Sequence, residues 1–366
     1  FILSWAPETF YVQLGYQFYG GINQYCDARA GVYLPMINAL RNETTYVHVQ
    51  LYNSSPMIAT DNQSYNMGTK EGIVAMCNML LNGFYVNNYY TKSQTAEKYF
   101  APLRPDQVVI GVPSSASAAG SGQVSNETLQ SAFTELNNAH PGLRGIMTWS
   151  INWDSSQNKN SFAQSNGRFL DSLSGEETTK TPETTKTPET TSSHKPTQGL
   201  NSRLLIGYYH TWDNSGNPFI KLRDVDKNWD VINISFAEPV SAGSTDGKMK
   251  FNISGLTADY TKADFKNDVK ALQAQGKKIV LSIGGYEGYF SLTSQSAVNQ
   301  FVSDIKSIVD EYGFDGIDID LEQSSVQFES GKDTDINNPT SPKIVNMINA
   351  IRTIVNSYGD EFILSW

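Results

Sequence analysis

The sequence predicts an α/β fold in which eight parallel strands alternate with helices and close into a (β/α)8 barrel. Two observations carry this. Short apolar runs rich in Val, Ile and Tyr alternate with amphipathic stretches along the chain, the pattern of a parallel sheet with crossover helices. Read across a low-complexity segment in the middle, the runs number eight, and eight such units favour a closed barrel over an open sheet.

The chain has 366 residues and a formal net charge of −10. One barrel needs about 250 residues or more, so the length suffices for a single barrel. The acidic balance argues against nucleic acid and anionic membranes as partners and suits a neutral ligand such as a polysaccharide. No run is long and apolar enough to cross a bilayer. Cys26 and Cys77 are the two cysteines. Their spacing is compatible with a disulfide and equally with two thiols, because spacing does not place two Cβ atoms within reach.

Phe1-Ile-Leu-Ser-Trp5 recurs as Phe362-Ile-Leu-Ser-Trp366. The repeat reads either as one period of a tandem array or as a circular permutant with a short overlap. Residues 175–200 form a linker in which Glu177-Thr-Thr-Lys-Thr-Pro182 repeats as Glu183-Thr-Thr-Lys-Thr-Pro188. That repeat has no apolar side chain to bury, so burial cannot offset the entropy of ordering it.

The elements follow in order from the linker onward. Arg203–Tyr209 and Val231–Phe236 read as buried strands, and Asp264–Gly276 as a helix with Phe265, Val269 and Leu272 on one face. Lys278–Ile283 is a third strand. Val298, Phe301, Ile305, Ile308 and Tyr312 mark a helix stopped by Gly313. Phe314–Leu321 is a fourth strand, and Ile344 to Val355 lie on a helix before Gly359. The start of the chain continues the count. Phe1–Trp5 is a fifth strand and Tyr46–Leu51 a sixth, followed by a helix over Ile73–Leu81. Gln107–Val112 is a seventh, followed by a helix carrying Leu129, Phe133 and Leu136. Gly145–Ser150 is the eighth, and Phe162–Leu173 the last helix. Residues 1–174 would thus supply strands five to eight, and residues 201–366 strands one to four. Phe1–Trp5 should take the fifth slot over its copy, because it leads into the following loop.

Asp315-Gly-Ile-Asp318-Ile-Asp320-Leu-Glu322 is the most informative segment. Alternate strand residues share a face, so Asp318, Asp320 and Glu322 point into the barrel while Ile317, Ile319 and Leu321 pack outward. Carboxylates stacked there repel one another and are costly to desolvate, which should raise at least one pKa into the range of a general acid. Glu322 lies closest to the C-terminal end of its strand, where barrels place their chemistry. A calcium loop would need polar spacers and glycine at its sixth position; here the spacers are Ile and Leu.

At this point the sequence resembles family 18 glycoside hydrolases, the retaining chitinases. Asp315 to Glu322 fits their DxxDxDxE signature, and Ser282-Ile-Gly284-Gly285 the SxGG motif. Ala6-Pro7-Glu8 after Trp5 resembles their MAPE motif. Gln50-Leu-Tyr52-Asn53 fits QxYN, the form of a compact bacterial and plant-type subgroup. Trp149 lies on the eighth strand. All five fall in cyclic order if the halves are read in permuted sequence.

The resemblance implies an endo-acting chitinase working through the substrate's own 2-acetamido group. Glu322 would be the acid/base, Asp320 would hold the acetamido N–H, Asp318 would share a proton with Asp320, and Tyr52 would donate to the acetamido oxygen. Gln50, Asn53 and Gly285 would bind the sugar, over Trp149 as floor. Tyr208 and Phe236 would line the cleft or pack the core, with Trp212, Tyr286 and Trp153 as outer platforms. His48 should be a buried structural histidine. No metal or cofactor is expected. The short segment Pro113–Arg144 leaves no room for a groove-deepening insertion. Expected partners are chitin or chito-oligosaccharides. The chain is expected to be secreted and monomeric, with a dimer that exchanges halves as an alternative. Two other functions stay open: an endo-β-N-acetylglucosaminidase acting on N-glycans, and a non-catalytic chitin-binding lectin.

Overall fold

A computed structural model of the chain describes residues 1–21, 27–174, 201–329 and 333–358. The linker, the second copy of the fifth strand and Cys26 lie outside the described residues, and with Cys26 the question of the disulfide. Cys77 is buried.

Eight strands form the barrel, numbered here in chain order. They are β1 (Ile2–Trp5), β2 (Tyr46–Gln50), β3 (Val108–Pro113), β4 (Gly145–Trp149), β5 (Leu204–His210), β6 (Val231–Pro239), β7 (Lys278–Gly284) and β8 (Gly316–Asp320). Each pairs in parallel with its two neighbours, and β8 pairs with β1, so the ring is closed. β1 occupies the expected slot, with Ser4 in register with Asp318 of β8 on one side and Tyr46 of β2 on the other.

Alternation along the strands produces two apolar layers. Ile2, Tyr46, Val109, Met147, Ile206 and Val280 fill the barrel interior. Leu3, Trp5, Val47, Ile110, Ile279 and Ile317 face outward into the layer shared with the helices. Those helices include α1 (Tyr33–Ala39), α2 (Lys70–Asn82), α3 (Asn126–Ala139), α4 (Ile151–Asn158), α5 (Ser161–Ser174), α6 (Lys262–Ala274), α7 (Gln295–Tyr312) and α8 (Pro342–Ser357). Local chemistry sets their ends. Ser294 Oγ accepts from Ala297 N–H at the start of α7, and Gly313, at φ 73°, stops it in the left-handed region. Between them Val298, Phe301, Ile305 and Val309 are buried, and each such side chain contributes about 1.5–3 kcal/mol.

Two features depart from the sequence expectation. β5 and β6 are joined by a long loop with one 3-10 turn, Leu222–Asp224, rather than by a helix. The polar, Gly- and Pro-containing run 211–221 offers no helical apolar period. Conversely, α4 begins directly after β4. Its buried Asp154 accepts hydrogen bonds from Phe162 N–H and Ala163 N–H, both 3.0 Å, and so caps the first turn of α5. Asp154→Ala orphans two buried donors. We expect a loss of about 1–3 kcal/mol, read as a lower urea midpoint, with Asp154→Asn intermediate. An unchanged midpoint would show that the cap carries no stability.

Candidate active site

The C-terminal ends of the strands open into a cleft of about 890 Å³ lined by Glu8, Gln50, Tyr52, Trp149, Asp320 and Glu322, among others. The barrel places there what the acidic strand supplies. Asp318 is fully buried at the bottom, Asp320 is 4% exposed above it, and Glu322 follows at the mouth.

Four groups converge on Asp318. Ser4 Oγ donates to Oδ1 at 2.6 Å, Tyr208 Oη and Ser282 Oγ donate to Oδ2 at 2.6 and 2.8 Å, and His48 Nε2 lies 3.1 Å from Oδ1. Burial alone would raise its pKa, but His48 and these donors together hold the carboxyl below the usual range. Asp320 is pushed the other way, well above the usual range, by burial and by the charges of Glu322, Asp318 and Glu8. Glu322 rises to about 8, first through burial and then through the charge of Glu8. The stack is thus set apart: Asp318 is held low, while Asp320 and Glu322 are pushed up.

The backbone around Glu322 is fixed from several directions. Tyr33 of α1 donates through its hydroxyl to Leu321 O and accepts from Leu321 N–H, at 3.0 and 2.6 Å. Arg29 Nη1 donates to Gln323 O at 2.9 Å. Gly285 N–H donates to Asp320 O at 2.8 Å, and a Cβ at Gly284 would meet that same carbonyl at 2.2 Å. Gly284 and Gly285 have φ of 111° and 79°, so both the close approach and the backbone conformation require glycine.

Gln50 Nε2 donates to Ala6 O at 2.8 Å and to Asp320 Oδ1 at 2.9 Å, so its amide orients Asp320 directly. Tyr52 is buried beside the two upper carboxyls, which with burial push its phenol well above the usual range. Asn53 lines the cleft, while its Oδ1 accepts from Gly120 N–H at 2.7 Å.

Aromatic rings make the other wall. Trp149 stacks on Phe236 at 5.8 Å and lies 6.5 Å from Trp212, which in turn stacks on His210 at 4.7 Å. Tyr286 stands at the rim, 69% exposed. Such rings offer flat apolar faces for the C–H face of a sugar.

Most of the residues singled out in the sequence therefore meet in one cleft: Asp320, Glu322, Gln50, Tyr52, Asn53, Trp149, Tyr208, Trp212, Phe236, Gly285 and Tyr286. Asp318 lies beneath them. Tyr208 is 1% exposed and its hydroxyl is committed to Asp318, so it orients a carboxylate rather than offering an open platform. His48 is buried as expected, and it also touches Asp318. Trp153 sits in the first turn of α4 and is not among the residues that line the cleft. Sequence reasoning quoted Glu8 within its motif but gave it no role, and it lines the cleft beside Glu322, whose pKa its charge helps to raise. The signal was available, since Ser4, Ala6 and Glu8 share one parity after β1. Tyr33 and Arg29 gave no such signal. Among the described residues, no group of three or more His, Cys, Asp or Glu side chains is placed to hold a metal ion.

Comparison with known proteins gives a consistent result for one half of the chain. The family model described as Glycosyl hydrolases family 18 matches residues 204–365. Chitinase Chi52 of Paenibacillus xylanexedens is 46% identical over 164 residues, 45% of this chain and 30% of that protein. Chitinase D of Niallia circulans is 46% identical over 165 residues, again 45% and 30%. Exochitinase 1 of Streptomyces olivaceoviridis is 42% identical over 169 residues, 45% and 28%. The matches span about a third of the length of these relatives.

Proposed function

We propose that the chain is a family 18 glycoside hydrolase that cleaves β-1,4-linked N-acetylglucosamine polymers, with Glu322 as acid/base. One observation carries the reading: a carboxyl that holds its proton to about pH 8 lies at the mouth of a cleft walled by Trp149, Phe236 and Trp212. The family match over residues 204–365 and the names of the relatives support it. We further propose that residues 1–174 supply the second half of the family's barrel and 201–366 the first, so that the order of the halves is exchanged.

Retaining glycosidases commonly use a second carboxylate as nucleophile, but family 18 is an exception in which the substrate assists. In the proposed reaction Glu322 gives its proton to the glycosidic oxygen as the C1–O bond breaks. The acetamido carbonyl oxygen of the same sugar forms a bond to C1, giving an oxazolinium ion. Asp320, held by Gln50, takes the acetamido N–H and stabilises the developing positive charge. Tyr52 donates its hydroxyl to the acetamido oxygen. Asp318, beneath Asp320, shares a proton with it, and Trp149 supports the sugar ring. Water then adds to C1, Glu322 takes its proton, and the ring opens with the configuration at C1 retained. The short segment Pro113–Arg144, which leaves no room for a groove-deepening insertion, favours internal cleavage, and we propose a secreted, monomeric enzyme. No helix among the described residues is long and apolar enough to cross a membrane.

The test is hydrolysis of chitin hexaose followed by proton NMR. The β-anomer should appear first, among products of intermediate length. Initial α-anomer would refute the mechanism, and stepwise loss of one terminal unit would refute internal cleavage. Binding without hydrolysis would favour a chitin-binding lectin. Cleavage of an N-glycan core with the hexaose untouched would favour an endo-β-N-acetylglucosaminidase.

A further inference from the structure

Glu322 lies two residues beyond the end of β8. On the β1 side the strand ladder reaches Ala6 N–H, which donates to Ile319 O at 2.9 Å. One step further, a parallel pair would send Leu321 N–H to Ala6 O and Glu8 N–H to Leu321 O. The chain does otherwise. Ala6 O accepts from Gln50 Nε2 at 2.8 Å. Glu8 bridges to Gln50 of β2, and Gln50 N–H donates to Pro7 O at 2.8 Å. The chain after β1 has thus turned toward β2, and the residue before Glu322 needs another partner for its backbone groups.

Tyr33 is that partner. It stands at the start of α1, fully buried, with its ring T-shaped to Trp5 at 6.0 Å and tilted against Tyr11 at 5.8 Å. Its hydroxyl accepts from Leu321 N–H at 2.6 Å and donates to Leu321 O at 3.0 Å, so one side chain satisfies both backbone groups of that residue. The other side of Glu322 is held from the same segment. Arg29 Nε and Nη2 donate to the two oxygens of Asp27 at 2.9 and 2.5 Å, which fixes the plane of the guanidinium. Its Nη1 then donates to Gln323 O at 2.9 Å, at a residue whose φ of 56° lies in the left-handed region.

We infer that Tyr33 is a positioning residue for the acid: its hydroxyl takes the place of the departed strand and, with Arg29, sets where the Glu322 carboxyl stands relative to the glycosidic oxygen. This rests on the reading of Glu322 as the acid. Tyr33 is not among the residues that line the cleft, so it acts through the backbone before Glu322 and not on the sugar. The ring alone meets the packing between Trp5 and Tyr11; both hydrogen bonds of the hydroxyl go to Leu321. A general acid must come within about 2.6–3.2 Å of the atom that takes its proton. A misplacement of about 1 Å can cost about a hundredfold in rate.

The experiment compares the full chain with Tyr33→Phe, which keeps the ring and removes the hydroxyl. Asp154→Ala is the stability control, because Asp154 caps α5 and is not among the residues that line the cleft. In Tyr33→Phe, kcat on 4-nitrophenyl chitotrioside should fall by at least about tenfold with KM little changed. The loss should be smaller on the 2,4-dinitrophenyl glycoside, whose leaving group needs less help from an acid. A loss of stability alone lowers both substrates equally, as expected for Asp154→Ala. The second readout needs no turnover. Hydrogen exchange of the Leu321 amide should be at least about fivefold faster in Tyr33→Phe, the scale of one lost hydrogen bond, with the Ile317 and Ile319 amides unchanged. An unchanged kcat, or an equal loss on both substrates, overturns the inference, and so does unchanged exchange at Leu321. If the wild type releases no nitrophenol, the hydrolase reading fails, while the exchange still decides whether Tyr33 holds the backbone before Glu322. Should Tyr33→Phe fail to fold, Arg29→Lys takes its place. Lysine keeps the charge but lacks the planar fork that reaches Gln323 O while paired with Asp27. No loss there, or a loss that ignores the leaving group, overturns the inference.

Discussion

Glu322→Gln is expected to lower kcat/KM on 4-nitrophenyl chitotrioside by at least about a hundredfold, the lower range for loss of a general acid–base group. The substitution keeps the volume of the side chain and its place in the turn held by Tyr33 and Arg29. What it removes is the proton. A carboxyl at about pKa 8 is protonated across the neutral range and can give that proton to a leaving oxygen; an amide cannot. The effect should shrink on substrates with a better leaving group, because departure of 2,4-dinitrophenolate needs less help from an acid. Affinity for unreactive chito-oligosaccharides, read by fluorescence of the tryptophans near the cleft, should survive. If the variant keeps wild-type activity, Glu322 is not the acid. Equal losses on good and poor leaving groups would point to distortion of the site instead.

Asp320→Asn should cost about 10²–10³ in kcat, the scale of losing one preorganised electrostatic group. Asp320 is the carboxyl at which the other groups converge. Gln50 donates to it from one side, and Asp318 lies beneath it with its own four contacts. In the proposed reaction it carries the response to positive charge on the acetamido group. An asparagine retains one acceptor but offers no negative charge at any pH. Its NH₂ group also turns a donor toward either the Gln50 amide or the acetamido N–H, both of which need an acceptor. The loss should therefore appear in kcat more than in KM. A decrease smaller than about tenfold would remove Asp320 from the charge-stabilising role.

Much of this site was legible in the chain because strand parity is a local property. The alternation of Asp318, Asp320 and Glu322 with Ile317, Ile319 and Leu321 assigns faces without knowledge of any partner. The same rule applied to Ser4, Ala6 and Glu8 would have placed Glu8 in the cleft. The rule fails once the chain leaves a strand. Trp153 follows β4 closely in sequence, but a helix begins at Ile151 and carries it in its first turn, outside the residues that line the cleft. Trp212 follows β5 just as closely and stays in the cleft, where it stacks on His210. The two tryptophans have the same local look, and only the path of the following segment separates them.

The eight strand runs, their faces, the main helix stops and the acidic ladder were determined by the sequence alone. Each depends on spacing, side-chain polarity or a glycine's freedom within a few residues. The ring closure that sets Ser4 beside Asp318 joins residues 314 positions apart. Tyr33 reaches Leu321 across 288 positions, and Gln50 reaches Asp320 across 270. Burial and contacts from distant parts of the chain push three carboxyls that look alike in the sequence in different directions. Only the tertiary structure decided them, because a pKa responds to burial and to every nearby donor and charge, wherever along the chain these originate.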